Sequence, residues 1–393
     1  MRSCAILTFF GGLTLSQHAT GADALPKPRE QSSSPAERTP PDKEPRPSDA
    51  ERALATGAAV VPGIVVHGMG HYVAGESGTG TRLLIGEGVG FGLLFGGLSV
   101  VVATGASKYF VGPGAATMVV GAGLFGASFF ADVYGSVSPD ADAAGRRSRP
   151  PAWMETELGY RHVSDPLFAY EDFVFQRVSM QAGHLRLTPS AWFSADGDNA
   201  RYRVEGAYRI LGAIPSALDR PVLNDELDAV LGLVQHRFVT EHFTRSSMEL
   251  AVDTRYDLGH VGRTLRGAFV EAGVGYAFGR IDYDVQGIDV PADFDDLLLA
   301  SIGFGAVFRG MSHPGSEARI YYDHRHDDYA GGLVLTGIPS GVAGHFGADA
   351  RWFFTPKVGV SVEAEIGAAL VAGISLLFRQ SGAGPAGEER RVE

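Results

Sequence analysis

The feature that most constrains this chain is a two-residue alternation that recurs through its C-terminal half. In residues 342–354, VAGHFGADARWFF, one parity reads Val342, Gly344, Phe346, Ala348, Ala350, Trp352 and Phe354, and the other carries His345, Asp349 and Arg351. The same division appears in 201–211, 248–256, 268–278, 298–308, 358–366 and 370–378. It is weaker at 153–163, 172–181, 184–195, 228–239 and 317–323. Period two is the signature of strands, whose successive side chains point to opposite faces. The segments amount to about ten to twelve strands, each as long as a tilted strand needs to be to cross hydrocarbon.

Two barrels satisfy such a pattern. A soluble sandwich or lipocalin-like barrel buries the apolar parity, whereas a membrane barrel turns it to lipid and fills its lumen with the polar one. The polar parity here is rich in Gly, Ala and Ser as well as charge, which suits a crowded lumen. Trp352, Phe354, Tyr256 and Phe378 fall near segment ends on the apolar parity, where interfacial girdles belong. The expected fold class is therefore membrane all-β: an antiparallel transmembrane β-barrel of about 10–12 strands over residues 152–380, preceded by a hydrophobic α-helical region. Its inward set would be Arg203, Glu205, Arg209, Glu249, Asp253, Arg255, Glu271, Arg319, Asp349, Arg351, Glu363 and Glu365. Charges so enclosed must pair. In a narrow barrel they would plug the lumen, and in a wider one they would line a pore. Thr355-Pro356-Lys357 leaves the apolar parity unchanged across it, as a three-residue hairpin loop does. Polar stretches such as IDYDVQGIDVPADFDD and DHRHDDYAGG read as large loops, with short turns at the opposite end.

Ahead of the alternating half lie other compositions. Residues 1–24 read as a signal peptide: Arg2, then CAILTFFGGLTL, then Ala22-Asp23-Ala24 as a small-x-small cleavage site. Cys4, the only cysteine, lies inside it, so a processed chain would have no disulfide. Residues 25–50 are rich in Pro, Ser and charge and read as a disordered linker. Residues 51–138 are apolar and glycine-rich. Gly88–Ser107 and Tyr109–Ala131 contain no charged residue, and each could span a bilayer as a helix. A helical hairpin is expected, with KYFVGPG as its turn and one shorter helix before it. Gly88, Gly92 and Gly96 would share a face along which a second helix could approach. The odd positions of EGVGFGLLFGG also fit a strand, which stays open as an alternative. Residues 139–151 read as a second linker and 381–393 as a disordered tail. A net charge of −12 argues against nucleic acid, whose phosphates would be repelled.

Residues 152–380, with AGISLLFRQ and its Phe378 as a closing strand, resemble a bacterial outer-membrane β-barrel protein. Such proteins typically end on that aromatic; here SGAGPAGEERRVE follows it. The resemblance implies a bacterial outer-membrane location, with the lipid bilayer and the outer-membrane assembly machinery as partners. The stretch with Pro62-Gly63, His67-Gly68-Met69-Gly70-His71, Gly75 and Gly80 resembles Pro-Gly-x-Gly-His helical hairpins of uncharacterised bacterial membrane proteins. In a different arrangement, residues 51–138 would anchor the chain in the inner membrane, holding a periplasmic β domain, or bind a membrane-protein partner.

Candidate chemistry is sparse, and no cofactor is indicated. His67 and His71 stand four apart, with Glu76 nearby. On one helix face they could hold zinc; otherwise they cap a helix end at the membrane surface. Their motif lacks the glutamate that a zinc protease places beside its first histidine, since position 68 is Gly. His324, His326 and Asp327 could supply a general base and its orienter at the barrel rim, but no serine adjoins them and Ser316 is the nearest before them. Three functions fit: a structural or small-solute pore barrel, a rim-located hydrolase, and an interaction module.

Overall fold

A computed structural model describes residues 48–107, 109–137, 152–166, 172–195, 197, 199–212, 225–238, 242–284, 290–307, 316–326, 329–331 and 344–381. The expected signal peptide, most of the first linker, the second linker, the tail beyond Ser381, and Asp327 lie outside the described residues.

Twelve antiparallel strands close on themselves, each paired with its sequence neighbours and β1 paired with β12. They are β1 Ala152–Ser164, β2 Asp172–Ala182, β3 Leu185–Ser194, β4 Ala200–Gly212, β5 Glu226–Phe238, β6 Phe243–Asp257, β7 Ala268–Tyr283, β8 Asp293–Val307, β9 Glu317–Asp323, β10 His345–Phe353, β11 Val358–Ile366 and β12 Leu370–Ser381. Closure pairs the backbone all round and leaves no open edge, a condition for strands in lipid.

The register sorts the side chains by polarity. Asp349 on β10 lies between Arg319 on β9 and Glu363 on β11, and two residues along Arg351 faces Glu317. The intervening rows are apolar: Ala348 lies between Ile320 and Ala364, and Phe346 between Tyr322 and Ile366. Ile320, Phe346, Val362, Ile366, Leu231, Leu250, Ile374 and Phe378 are all exposed, while the charged rows face the interior. An apolar surface turned outward over a charged interior is the inverse of a soluble protein. The fold is that of a membrane-spanning β-barrel.

One end of the barrel carries the start of β1, the end of β12 and the β2–β3, β4–β5, β6–β7, β8–β9 and β10–β11 connections. Tyr256, Trp352, Phe354 and Phe378 gather at this end. Long and short connections do not segregate as the sequence suggested. Residues 258–267 at this end form two 3-10 turns, whereas 367–369 at the other end is a tight turn. The expected loop around 281–296 is also shorter, because β7 runs on to Tyr283 and β8 starts at Asp293.

The region before the barrel is helical. It comprises α1 Asp49–Val60, α2 Met69–Val73, α3 Ser77–Ala103 and α4 Val111–Val137, so two short helices precede the hairpin rather than one. α1 starts inside the expected linker, where Ser48 and Glu51 form a reciprocal capping box. The hairpin turn uses Gly105 (φ 60°) and Ala106 (φ 55°), and Pro113 belongs to the first turn of α4, where a missing N–H costs nothing. The glycine face needs correction. Gly88, Gly92 and Gly96 have open space beside them; the α3–α4 contact is made by Gly90 and Gly97 against Gly121 and Gly114. A Cβ on Gly90 would lie 2.9 Å from Gly121 O, and one on Gly97 2.6 Å from Gly114 O.

Candidate functional site: the charged lumen

The barrel interior holds a cavity of about 550 Å³ in which carboxylates outnumber arginines. The charges form linked pairs. Arg203 binds Glu205 (3.1 Å) and Glu249 (2.8 Å), and Arg186 reaches Asp228 (3.3 Å), which also pairs with Arg209. Arg209 holds Glu226 at 2.9 Å. Across β6–β10, Arg255 binds Glu271 (3.3 Å) and Glu317 (2.8 Å), and Arg319 binds Glu271 (2.9 Å) and Asp349. Near the barrel closure, Arg351 and Arg379 share Glu155 at 2.6 and 2.9 Å, while Arg161 joins Glu157 to Glu363. Glu365 accepts the Tyr321 hydroxyl at 2.6 Å, and Asp253 faces the cavity. Guanidinium planes rest on inward aromatic faces: Arg255 on Phe269 (3.4 Å) and Arg379 on Phe353 (3.7 Å). Arginine suits this role, being planar, always charged and able to bind two carboxylates at once.

At the end away from Ala152 and Ser381, residues 324–326 and 329–331 fold into the lumen. Arg325 grips Glu249 through both terminal guanidinium nitrogens, at 2.7 and 3.0 Å. Tyr329 is buried among Phe173, Trp192, His236 and Phe238, with ring centroids 4.4 to 6.4 Å away. Ala330 O accepts from Ala369 N–H in the β11–β12 turn (3.0 Å). Val163, Phe173, Tyr329, Ala330, Ala369 and Val371 form one apolar cluster across this end.

All twelve residues of the expected inward set face the interior. Glu155, Glu157, Arg161, Arg177, Arg186, Glu226, Asp228, Glu317, Arg325 and Arg379 join them and were not singled out from the sequence. Most of these lie on the strands with weaker alternation, where the parity was still readable. Arg325 had no such signal, because a connection rather than a strand delivers it.

Of the candidate rim group, His324 and His326 lie among the described residues and Asp327 does not. Tyr322 Oη lies 2.9 Å from His324 Nδ1, and the His324 and His326 rings are 4.8 Å apart. Burial, then His326, lower the pKa of His324 from its usual value against the opposing charge of Asp323. Ser316 is at the far end of β9, where it accepts from Phe353 N–H (2.9 Å).

His67 and His71 do not share a helix, because Gly68 (φ 89°) breaks the chain between them ahead of α2. Nor do they cap a helix at a surface: both are buried. Asp132 of α4 accepts from the N–H groups of Gly68 (2.9 Å), Gly70 (3.2 Å) and His71 (3.2 Å), and its Oδ1 is 2.7 Å from His71 Nδ1. His71 Nε2 is 3.2 Å from Thr264 Oγ1, which donates to Glu76 (2.8 Å). Ser128 Oγ donates to Phe125 O (2.8 Å), so it accepts from His67 Nδ1 at 2.5 Å. This leaves His67 Nε2 buried with no partner among the described residues. The cluster ties α2, α4 and the β6–β7 connection together. No set of three metal-ligating side chains occurs among the described residues.

No family model and no curated protein matches the sequence. Among solved structures, the chain is similar to an outer membrane channel from Pseudomonas putida F1 (14% identity over 60% of this chain and 97% of that one, TM-score 0.34). It is also similar to the NanC porin (13%, 57% and 98%, TM-score 0.31) and to the outer membrane protein Omp33 of Acinetobacter baumannii (10%, 58% and 98%, TM-score 0.28). At these scores the likeness adds nothing to what the geometry of this chain shows.

Proposed function

We propose that this chain is a bacterial outer-membrane barrel that admits small hydrophilic solutes, with a preference for cations, and that rests in a closed state. The observation that carries this is the polar lumen cavity, whose lining has more carboxylates than arginines. An inert structural barrel needs only to fill its interior, and packed apolar side chains do that at lower desolvation cost than ionised ones. Here the interior instead keeps water-sized space along a charged wall. The resting closure comes from Arg325 and Tyr329, which fill one end.

The test is conductance of the purified protein in a planar bilayer under a KCl gradient. The expected result is small, infrequent openings whose reversal potential has the sign of cation preference. Absence of current above the lipid background, in both the wild type and Tyr329→Ala, overturns the pore reading. An anion-signed reversal potential overturns the assignment of selectivity to the carboxylates.

A further inference from the structure

The α3–α4 hairpin does not hang free of the barrel. α4 lies against the outer wall of β7 and β8, on side chains that alternation turns away from the lumen. Tyr134 donates to Arg266 O at the barrel's end (3.2 Å). One turn earlier the Phe130 and Phe304 rings are 5.7 Å apart, and further along a Cβ on Gly123 would collide with the Ile302 side chain. Leu83, Ala131, Leu258, Leu265 and Ala268 form a common buried core at the foot of this contact. The outward row of β7–β8 records the same thing in its exposure. Ala268, Ala300 and Ile302 are 0%, 7% and 9% exposed, whereas Val274 and Phe278, farther along the outward row of β7, are 47% and 51% exposed.

Among the described residues from His67 to Val137, the charged and histidine side chains gather toward the foot of the helical region. His67, His71, Glu76, Glu87 and Asp132 cluster at the level of Thr264 in the β6–β7 connection. α4 itself carries no charged residue from Ala131 to Val111, about 30 Å of helix and one hydrocarbon thickness, and His67, bonded to Glu87, meets it only over its first turns from that end, at Ser128 and Phe125. α3 runs beside it, exposing Ile85, Val89, Phe91, Phe95 and Val102. Only a small part of either helix is buried in the protein, so neither is a core helix of a soluble domain. From the end of the barrel, the hairpin rises alongside the barrel's own apolar band.

We infer that the α3–α4 hairpin is inserted in the same bilayer as the barrel, and that lipid acyl chains cover the face bearing Phe91, Phe95 and Val102. This rests on the membrane-barrel reading, and it replaces the picture of a separate inner-membrane anchor.

Site-directed spin labelling of the full-length protein in vesicles tests it. Single cysteines would be placed in a Cys4→Ser background at Phe95, at Val102, at the outward barrel site Val274 and at the exposed turn residue Lys357. The relaxation of each label by oxygen is then compared with that by a water-soluble nickel complex. The expected oxygen-to-nickel ratio at Phe95→Cys and Val102→Cys equals that at Val274→Cys, several-fold above Lys357→Cys. Helix sites that match Lys357→Cys while Val274→Cys stays lipid-like overturn the inference and leave the barrel reading standing. A water-like ratio at Val274→Cys overturns both. Heat-modifiable gel mobility of each variant shows that it has folded.

Discussion

Replacing Glu249 with Ala releases the clamp that holds Arg325 and its neighbours in the lumen. Glu249 is buried on β6 and takes three charge-assisted hydrogen bonds, two from Arg325 and one from Arg203. Its removal leaves two guanidinium groups facing each other without their shared anion. Breaking a buried ion pair from one side costs about 3–5 kcal/mol. The barrel wall is held by its closed hydrogen-bond ladder, so the cost falls mainly on the segment that Arg325 anchors. At about 1.4 kcal/mol per tenfold, the ratio of open to closed lumen rises roughly a hundredfold to a few thousandfold. Bilayer recordings of Glu249→Ala should show open probability increased on that scale, and Arg325→Ala should match it. Arg203→Ala removes a partner of Glu249 that lies on the wall, and should raise it far less. Equal opening by Arg203→Ala, or wild-type gating in both Glu249→Ala and Arg325→Ala, refutes the reasoning.

Two further outcomes follow from the helical region. Gly121→Val places side-chain atoms where a Cβ alone is already 2.7 Å from Gly90 O, and such overpacking costs about 1–3 kcal/mol. Gly92→Val points into open space and should be neutral or slightly stabilising. Proteolysis in detergent should cut the α3–α4 turn faster in the first variant only. Burial lowers the pKa of His67 from its usual value, against the pull of Glu87 and Asp132, because a protonated ring would leave Nε2–H buried and unpaired beside Phe125 and Phe129. A depressed histidine pKa means that the unfolded chain binds the proton first. The stability of the helical region is then complete above about pH 6.5 and falls as pH drops below it. The protection factors of α2 amides, exchange rates corrected for the intrinsic pH dependence, should fall below that pH in the wild type, and the fall should diminish in His67→Gln.

The fold was legible because the signal is local. In β10, Asp349 and Arg351 alternate with Ala348, Ala350 and Trp352, and a strand has only two faces. Even the polar turn at Thr355-Pro356-Lys357 was readable from conserved parity on either side of it. The helical region was less legible. Gly88, Gly92 and Gly96 have the better-known spacing, yet Gly90 and Gly97 make the contact. A helix presents many faces, and the partner chooses among them. His67 and His71 looked like neighbours on one helix until Gly68 took a left-handed conformation, which no pattern of side chains announces.

Residue order alone determined that the C-terminal half would be strands, which side chains would share the interior, and that two apolar segments long enough for a bilayer would precede them. These are consequences of period and length. The tertiary structure decided the rest: that Arg319 meets Asp349 and Glu271 while Arg203 meets Glu249, that a rim connection sends Arg325 and Tyr329 inward, and that α4 lies on the outer wall of β7 and β8. Such contacts join residues far apart in the chain, and they depend on how the strands are staggered when the barrel closes.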